Sequence, residues 1–124
     1  DERWLVESEN TPAHGYEAAR QLMVLPASER PTAIACVSDV IAFGVIRHLH
    51  DLGIEVGREV AVTGFDDIPA AEHITPPLTS VHQPLETIGK RLMEMLLDIL
   101  HGPPPETKQV LIKPQLVVRA SSGG

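Results

Sequence analysis

Pro31-Thr32-Ala33-Ile34-Ala35-Cys36-Val37-Ser38-Asp39 is the stretch that decides the fold. From Thr32 to Val37 the run is continuous and largely apolar. It therefore reads as a strand buried on both faces, not as the alternating strand of a one-sided sheet. Ser38 or Asp39 then caps a helix running to about Leu52, and Gly53 stands where a left-handed C-terminal cap belongs. Downstream, Arg58 to Gly64 with Val60, Ala61 and Val62 is a second short buried strand. Phe65-Asp66-Asp67-Ile68-Pro69 is a loop entering a helical turn, which Pro76 and Pro77 break before the extended segment Leu78 to His82. Upstream, Thr11 and Pro12 start a helix, as cap and first-turn proline. Tyr16, Ala19, Leu22 and Met23 follow at helical spacing, Pro26 ends the run, and Trp4-Leu5-Val6 reads as a short strand. Pro84 opens a third helix with Leu85, Ile88, Leu92, Leu96 and Ile99 on one stripe, stopped by Gly102 and Pro103-Pro104-Pro105. Gln109 to Arg119 is an extended tail interrupted by Pro114. Strands alternating with helices give an α/β fold, a parallel sheet flanked by helices.

The chain has 124 residues, which suits one domain or part of a larger one, and 43% are hydrophobic, enough for a core. A net charge of -7 argues against this chain gripping a phosphate backbone, which needs clustered Lys and Arg. It leaves open a basic head elsewhere in a longer parent. Aromatics at 3% make a stacking platform for single strands improbable. Cys36 alone permits no intrachain disulfide and fits a reducing, cytoplasmic setting. No apolar run reaches membrane-spanning length and no signal peptide opens the chain. The start at Asp1, not Met, gives the expectation that an upstream part is missing.

Ligands of open parallel sheets bind beyond the carboxyl ends of the strands. Two such ends carry polar residues, Val37-Ser38-Asp39 and Gly64-Phe65-Asp66-Asp67. Carboxylates accept hydrogen bonds from hydroxyls and amines and repel anions, so a polyol or base-like ligand suits them. Ser38, Asp39 and Asp67 also precede helical segments and can be simple N-caps, the favoured reading for Asp39 and Asp67, and Asp66 is open between cap and contact. A carboxylate pair admits acid–base catalysis as well.

The second helix carries Val40, Ile41, Ala42, Phe43, Val45, Ile46, Leu49 and Leu52 almost all the way round, and a helix apolar on every side is buried on every side. The sheet covers one face. A second subunit over Phe43, Ile46 and His50, or the rest of a larger monomer, covers the other. The third helix's stripe lacks cover within so short a chain. Six histidines raise a metal site, but His48 and His50 stand two apart on a helix, and His14, His73, His82 and His101 lie on different elements. No phosphate loop, nucleophile elbow or paired-cysteine motif is present, so no metal, cofactor or catalytic group is expected.

Three blocks and an ending together resemble the LacI/GalR transcription regulators. Pro31-Thr32-Ala33-Ile34 through Val37-Ser38-Asp39-Val40-Ile41-Ala42-Phe43-Gly44 is similar to the family's P-T-A…N-D-x-x-A-x-G strand and helix. Val60-Ala61-Val62-Thr63-Gly64-Phe65-Asp66-Asp67-Ile68 is similar to V-x-V-x-G-F-D-D, and Thr75-Pro76-Pro77-Leu78-Thr79-Ser80-Val81-His82-Gln83-Pro84 to T-P-P-L-T-T-V-x-Q-P. Leu116-Val117-Val118-Arg119-Ala120-Ser121 resembles the closing L-V-x-R-x-S.

The resemblance implies a type I periplasmic-binding-protein-like fold that is incomplete, lacking most of the N-terminal subdomain and the DNA-binding head. Residues 1–82 and 112–124 would belong to the C-terminal effector-binding subdomain, and 83–111 would be a crossover and a helix of the N-terminal one. It places Asp66 at an acidic effector contact, Ser38 where many members have Asn, Asn10 where some carry a stacking aromatic, and Gln83 at a crossover near the cleft. It places Phe43, Ile46, Arg47 and Ile74 on dimerising surfaces. The implied function is sensing of a small polar metabolite, a sugar or nucleoside-like compound, by a homodimeric cytoplasmic regulator, most simply a repressor, that reaches DNA through the absent head. A periplasmic sugar receptor for transport is the alternative, and an enzyme using Asp66 and Asp67 the remote one.

Overall fold

The computed structural model describes residues 2–102 and 109–124. The chain divides into two units, Asp1–His82 with Leu116–Gly124, and Gln83–Gln115.

The first unit is a strand–helix alternation. Thr11 caps α1 (Pro12–Met23), its Oγ1 accepting the His14 N–H at 3.2 Å, and Pro12 stands in the first turn. β1 (Ala33–Ala35) leads into α2 (Asp39–Asp51). Ser38 is the cap of α2, its Oγ accepting from Ile41 N at 3.3 Å, and Gly53 closes the helix at φ 72, a left-handed position open to glycine at little cost. β2 (Ala61–Thr63) pairs with β1 in parallel, Ile34 opposite Val62. β3 (Ser80–His82) continues the sheet through parallel bridges from Thr63 to Thr79 and from Asp66 to His82. β4 (Gln115–Val117) pairs with β3. A 3-10 turn at Pro69–Glu72 follows the Asp66–Asp67 loop, and another closes the chain at Ala120–Ser122.

Two expectations fail here. Trp4-Leu5-Val6 is no strand: Glu2–Trp4 forms a 3-10 turn and Leu5 is 78% exposed. Its local composition suits a strand, but it pairs with none, and a strand exists only through its ladder. β1 is also not buried on both faces. Ile34 is buried while Ala33 and Ala35 are exposed and Val37 is 80% exposed. Among the described residues β1 pairs with β2 alone and is the edge of this sheet.

The core lies between α1, α2 and the sheet: Ala19, Leu22, Ile34, Ala42, Val45, Leu49, Val62 and Leu78. The all-round apolar surface of α2 is largely met inside this chain, because α1 packs directly against it. Cβ atoms placed on Gly15 and Gly44 would fall 2.1 Å from Ile41 O and 1.9 Å from Pro12 O. Only hydrogen at both positions lets the two backbones touch. Ile46 is accordingly 4% exposed, within this chain's own core.

The second unit is α3 (Leu85–His101) and the segment returning through Val110 and Ile112. Pro84 is its N-cap, without a side-chain bond. No residue of α3 is buried, and Leu85, Leu92, Leu96 and Ile99 are exposed, so the stripe lacks cover as its sequence led one to expect. Pro103-Pro104-Pro105, read as the stop of this helix, lies outside the described residues. Among the described residues no helix is long and apolar enough to cross a membrane.

Candidate functional site

The carboxyl ends of β1, β2 and β3 converge on the loop 64–68. Every residue of this loop is tied down. Gly64 N–H donates to Thr79 O at 2.9 Å, Asp66 N–H to Val81 O at 3.0 Å, and Phe65 O accepts from Asp39 N–H at 2.9 Å. Asp67 N–H donates to Ser80 Oγ at 3.1 Å and Ile68 N–H to Asp39 Oδ2 at 2.9 Å. The restraint has a local use. Asp66 stands at φ 112 and Asp67 at φ 52, where side chains other than glycine's are disfavoured by about 1–2 kcal/mol per residue. Two successive aspartates persist there because their surroundings over-determine them.

Asp39 is the centre of that restraint. It is fully buried, and its Oδ1 accepts from Ser80 Oγ at 2.5 Å while Oδ2 holds Ile68. Gly64 makes room for it, since a Cβ there would lie 2.2 Å from Asp39 Oδ1. Asp39 is thus not the cap of α2, which is Ser38, but a bracket between strand ends. Asp67 caps no helix either. Its carboxylate meets His82 Nδ1 at 3.0 Å and, off hydrogen-bond alignment, the Arg119 guanidinium at 2.7 Å. Arg119 also donates to Leu78 O at 2.7 Å. Ser121 joins the same tail to the sheet, donating to Val62 O at 2.6 Å and accepting from Thr79 N.

Of the residues singled out from sequence, Ser38 and Asn10 come together, with Ser38 Oγ donating to Asn10 Oδ1 at 2.5 Å. Ser38 is buried and Asn10 exposed, so the pair presents the asparagine outward. Asp66 is half-buried on the neighbouring strand end. Gln83 is the first residue of the second unit, one position past β3. Phe43 and Ile74 are half-buried and Arg47 exposed. Phe43 and Arg47 share a groove with Pro12, Ala13, Tyr16, Gly44 and Asp51. There Tyr16 donates to Asp51 Oδ2 at 2.9 Å, a bond that holds its hydroxyl proton and raises its pKa. The roles of Asp39, Ser80 and Arg119 were missed, although a hydroxyl and a guanidinium inside apolar strands are themselves signals of a required partner.

A cavity of about 800 Å³ lies elsewhere, along the edge of β1 between Trp4, Leu22, Ile34 and Val45. Its lining is mainly apolar side chain and strand edge. Among the described residues no three His, Cys, Asp or Glu side chains are grouped to hold a metal. Cys36 is half-buried beside Asp39; burial first, and that carboxylate second, push its thiol up to about 12. Stability from keeping the thiol neutral is fully present below the ordinary value of 9.0 and is lost as pH rises through the folded value near 12. Iodoacetamide at pH 8 should accordingly alkylate Cys36 at least about a hundredfold more slowly in the native protein than in denaturant, since the thiolate is the nucleophile. Equal rates, read by mass spectrometry, would contradict that environment.

With this geometry in place, relatives can be compared. The model of the periplasmic binding protein-like domain matches residues 1–122. The chain belongs to that family. Family members similar to it are regulators. The HTH-type transcriptional repressor PurR of Erwinia tasmaniensis is 37% identical over 120 residues, covering 97% of this chain and 35% of the repressor. The chain thus spans about a third of the length of that relative. A regulatory protein of the LacI family from Chloroflexus aggregans superposes with TM-score 0.86 at 36% identity, over 94% of this chain and 41% of that one. The transcriptional regulator CelR in complex with cellobiose gives TM-score 0.88 at 33% identity, over 98% and 36%. The fold is therefore the periplasmic-binding-protein-like α/β fold of LacI-type effector domains, and this chain is part of one. The named relatives are a repressor and regulators.

Proposed function

We propose that this chain forms one wall of the effector site of a LacI-type transcriptional regulator, which acts in the cytoplasm as a homodimer and reaches DNA through a head outside this chain. The observation that carries the proposal is Asp66, a partly exposed carboxylate on a left-handed, fully restrained loop at the carboxyl ends of parallel strands. That is where such sheets take small ligands. A carboxylate there accepts from hydroxyls, and the Asn10–Ser38 pair adds an amide that both donates and accepts. This chemistry matches an uncharged sugar, the class of ligand found with CelR. Gln83 is a further candidate contact in the whole protein. Phe43, Arg47 and Ile74 are candidates for the dimer surface, with Ile46 supporting them from the core beneath. Effector binding shifts the balance of two arrangements of the dimer, and with it the affinity for operator DNA.

The test is thermal denaturation of the natural full-length protein with cellobiose, ribose and adenosine, with Asp66→Ala alongside. An effector at a hundred times its Kd should stabilise the native state by about 2.7 kcal/mol, raising the midpoint by several degrees. The rise should vanish in Asp66→Ala. An equal rise in both proteins removes Asp66 from the site, and no rise with any compound removes the sugar and nucleoside classes.

A further inference from the structure

Asp39 has no place in the effector contacts proposed above, yet it is fully buried and both of its carboxylate oxygens are hydrogen-bonded. A fully buried carboxylate is costly unless every oxygen is satisfied. Here both oxygens are satisfied by the same loop, directly through Ile68 N–H and indirectly through Ser80 Oγ, which also accepts from Asp67 N–H. The backbone N–H of Asp39 takes the loop's other end at Phe65 O. One residue at the first turn of α2 therefore grips 65–68 at both ends, and the two positions between its grips are the two left-handed aspartates. Ser80 is likewise fully buried, and Gly64 is the one residue type that lets the Asp39 carboxylate come so close.

We propose that Asp39, with Ser80 as its intermediary, is a positioning residue that holds Asp66 in the backbone conformation from which it meets the effector. The proposal rests on the effector reading of Asp66. It assigns ligand affinity to two side chains that do not touch the ligand. It also makes the first turn of α2 and the effector loop a single mechanical element. A contact in which the ligand rearranges 65–68 is then coupled to α2, which also carries Phe43 and Arg47.

The test uses the natural full-length protein and two readouts. The first is amide hydrogen exchange at Asp67 and Ile68 against Ala18 and Ala19 of α1. Asp39→Ala should speed the loop amides at least about tenfold relative to the α1 amides, because both lose their acceptor or its anchor. Asp39→Asn, whose amide oxygen can still accept from Ile68 and whose NH2 can donate to Ser80, should restore most of the protection. Should Asp39→Ala fail to fold, Ser80→Ala removes the intermediary alone and should expose Asp67 N–H. Unchanged loop exchange in a folded Asp39→Ala or Ser80→Ala overturns the proposal. So does a uniform rise that spares no element. The second readout is the dissociation constant for cellobiose by calorimetry, which should weaken about tenfold in Ser80→Ala. Cellobiose bound equally well by a variant whose loop has come loose also overturns the proposal. If the unsubstituted protein binds no cellobiose, the sugar reading falls by itself, and the exchange ratio still decides whether Asp39 positions the loop.

Discussion

Gly44→Ala is expected to lower the thermal midpoint by at least about 10 °C. The added methyl carbon would fall 1.9 Å from Pro12 O, 2.6 Å from Tyr16 N and 2.8 Å from Pro12 C. All three are backbone atoms of α1, so no rotamer change can relieve them. The helices must separate, and separation loosens the buried cluster that includes Ala19, Ala42 and Val45. Overpacking of this kind costs about 3 kcal/mol or more when the obstacle is rigid. Alanine gains about 0.8 kcal/mol over glycine in a helix interior, too little to offset it. At roughly 4 °C or more per kcal/mol for a domain of this size, the balance gives the stated shift. Gly89→Ala is the control, since nothing lies within 4 Å of its Cβ on the exposed surface of α3. It should leave the midpoint unchanged or slightly raised by the propensity gain alone. Circular dichroism melts of the two variants beside the parent decide it, and similar midpoints for both would show that α1 and α2 do not meet as described.

The same glycines show what can be read from sequence and what cannot. Gly53 was legible because a left-handed cap is a local device announced by the end of an apolar period. Thr11 and Ser38 were legible for the same reason, each accepting a hydrogen bond from the residue three positions on, and Pro12 because its missing N–H costs nothing in a first turn. Gly15 and Gly44 carry no such announcement, because their need arises from another helix. The apolar perimeter of α2 was read correctly, but the element that packs against it in this chain is α1, twenty-odd residues upstream. Trp4-Leu5-Val6 failed in the opposite sense, as a strand-like composition without a partner strand. At the site, Asp39 and Asp67 look like caps because capping and tertiary bracketing use the same residue types. What separates the two uses is a partner 41 residues away for Asp39, in Ser80, and one at the far end of the chain for Asp67, in Arg119.

That distant partner leads to the second large effect. Arg119→Met should destabilise the protein by about 2–4 kcal/mol. The substitution keeps the length and apolar stem of the side chain, so what it removes is the guanidinium. Asp67 is 12% exposed and Arg119 18% exposed as side chains, so the pair is mostly desolvated, and leaving one charge of a buried pair unmatched costs about 3–5 kcal/mol in a dry interior. The lower figure allows for the water that still reaches both groups. His82 stays 3.0 Å from the other oxygen of Asp67 but is half-exposed and cannot replace a permanent charge. Leu78 O, on a fully buried residue, loses its donor as well. Exposed pairs supply the contrast. Arg58→Met, which breaks the Arg58–Glu55 contact with side chains 82% and 61% exposed, should cost under about 1 kcal/mol. Asp67→Asn in the Arg119→Met background should recover about 1–2 kcal/mol, because the unmatched charge is gone. Urea denaturation of the four proteins measures these differences. An Arg119→Met cost no larger than that of Arg58→Met would mean that the tail is not clamped to the Asp67 loop by charge. The left-handed turn at Asp66 and Asp67 would then depend on Asp39, Ser80 and the backbone bonds to β3.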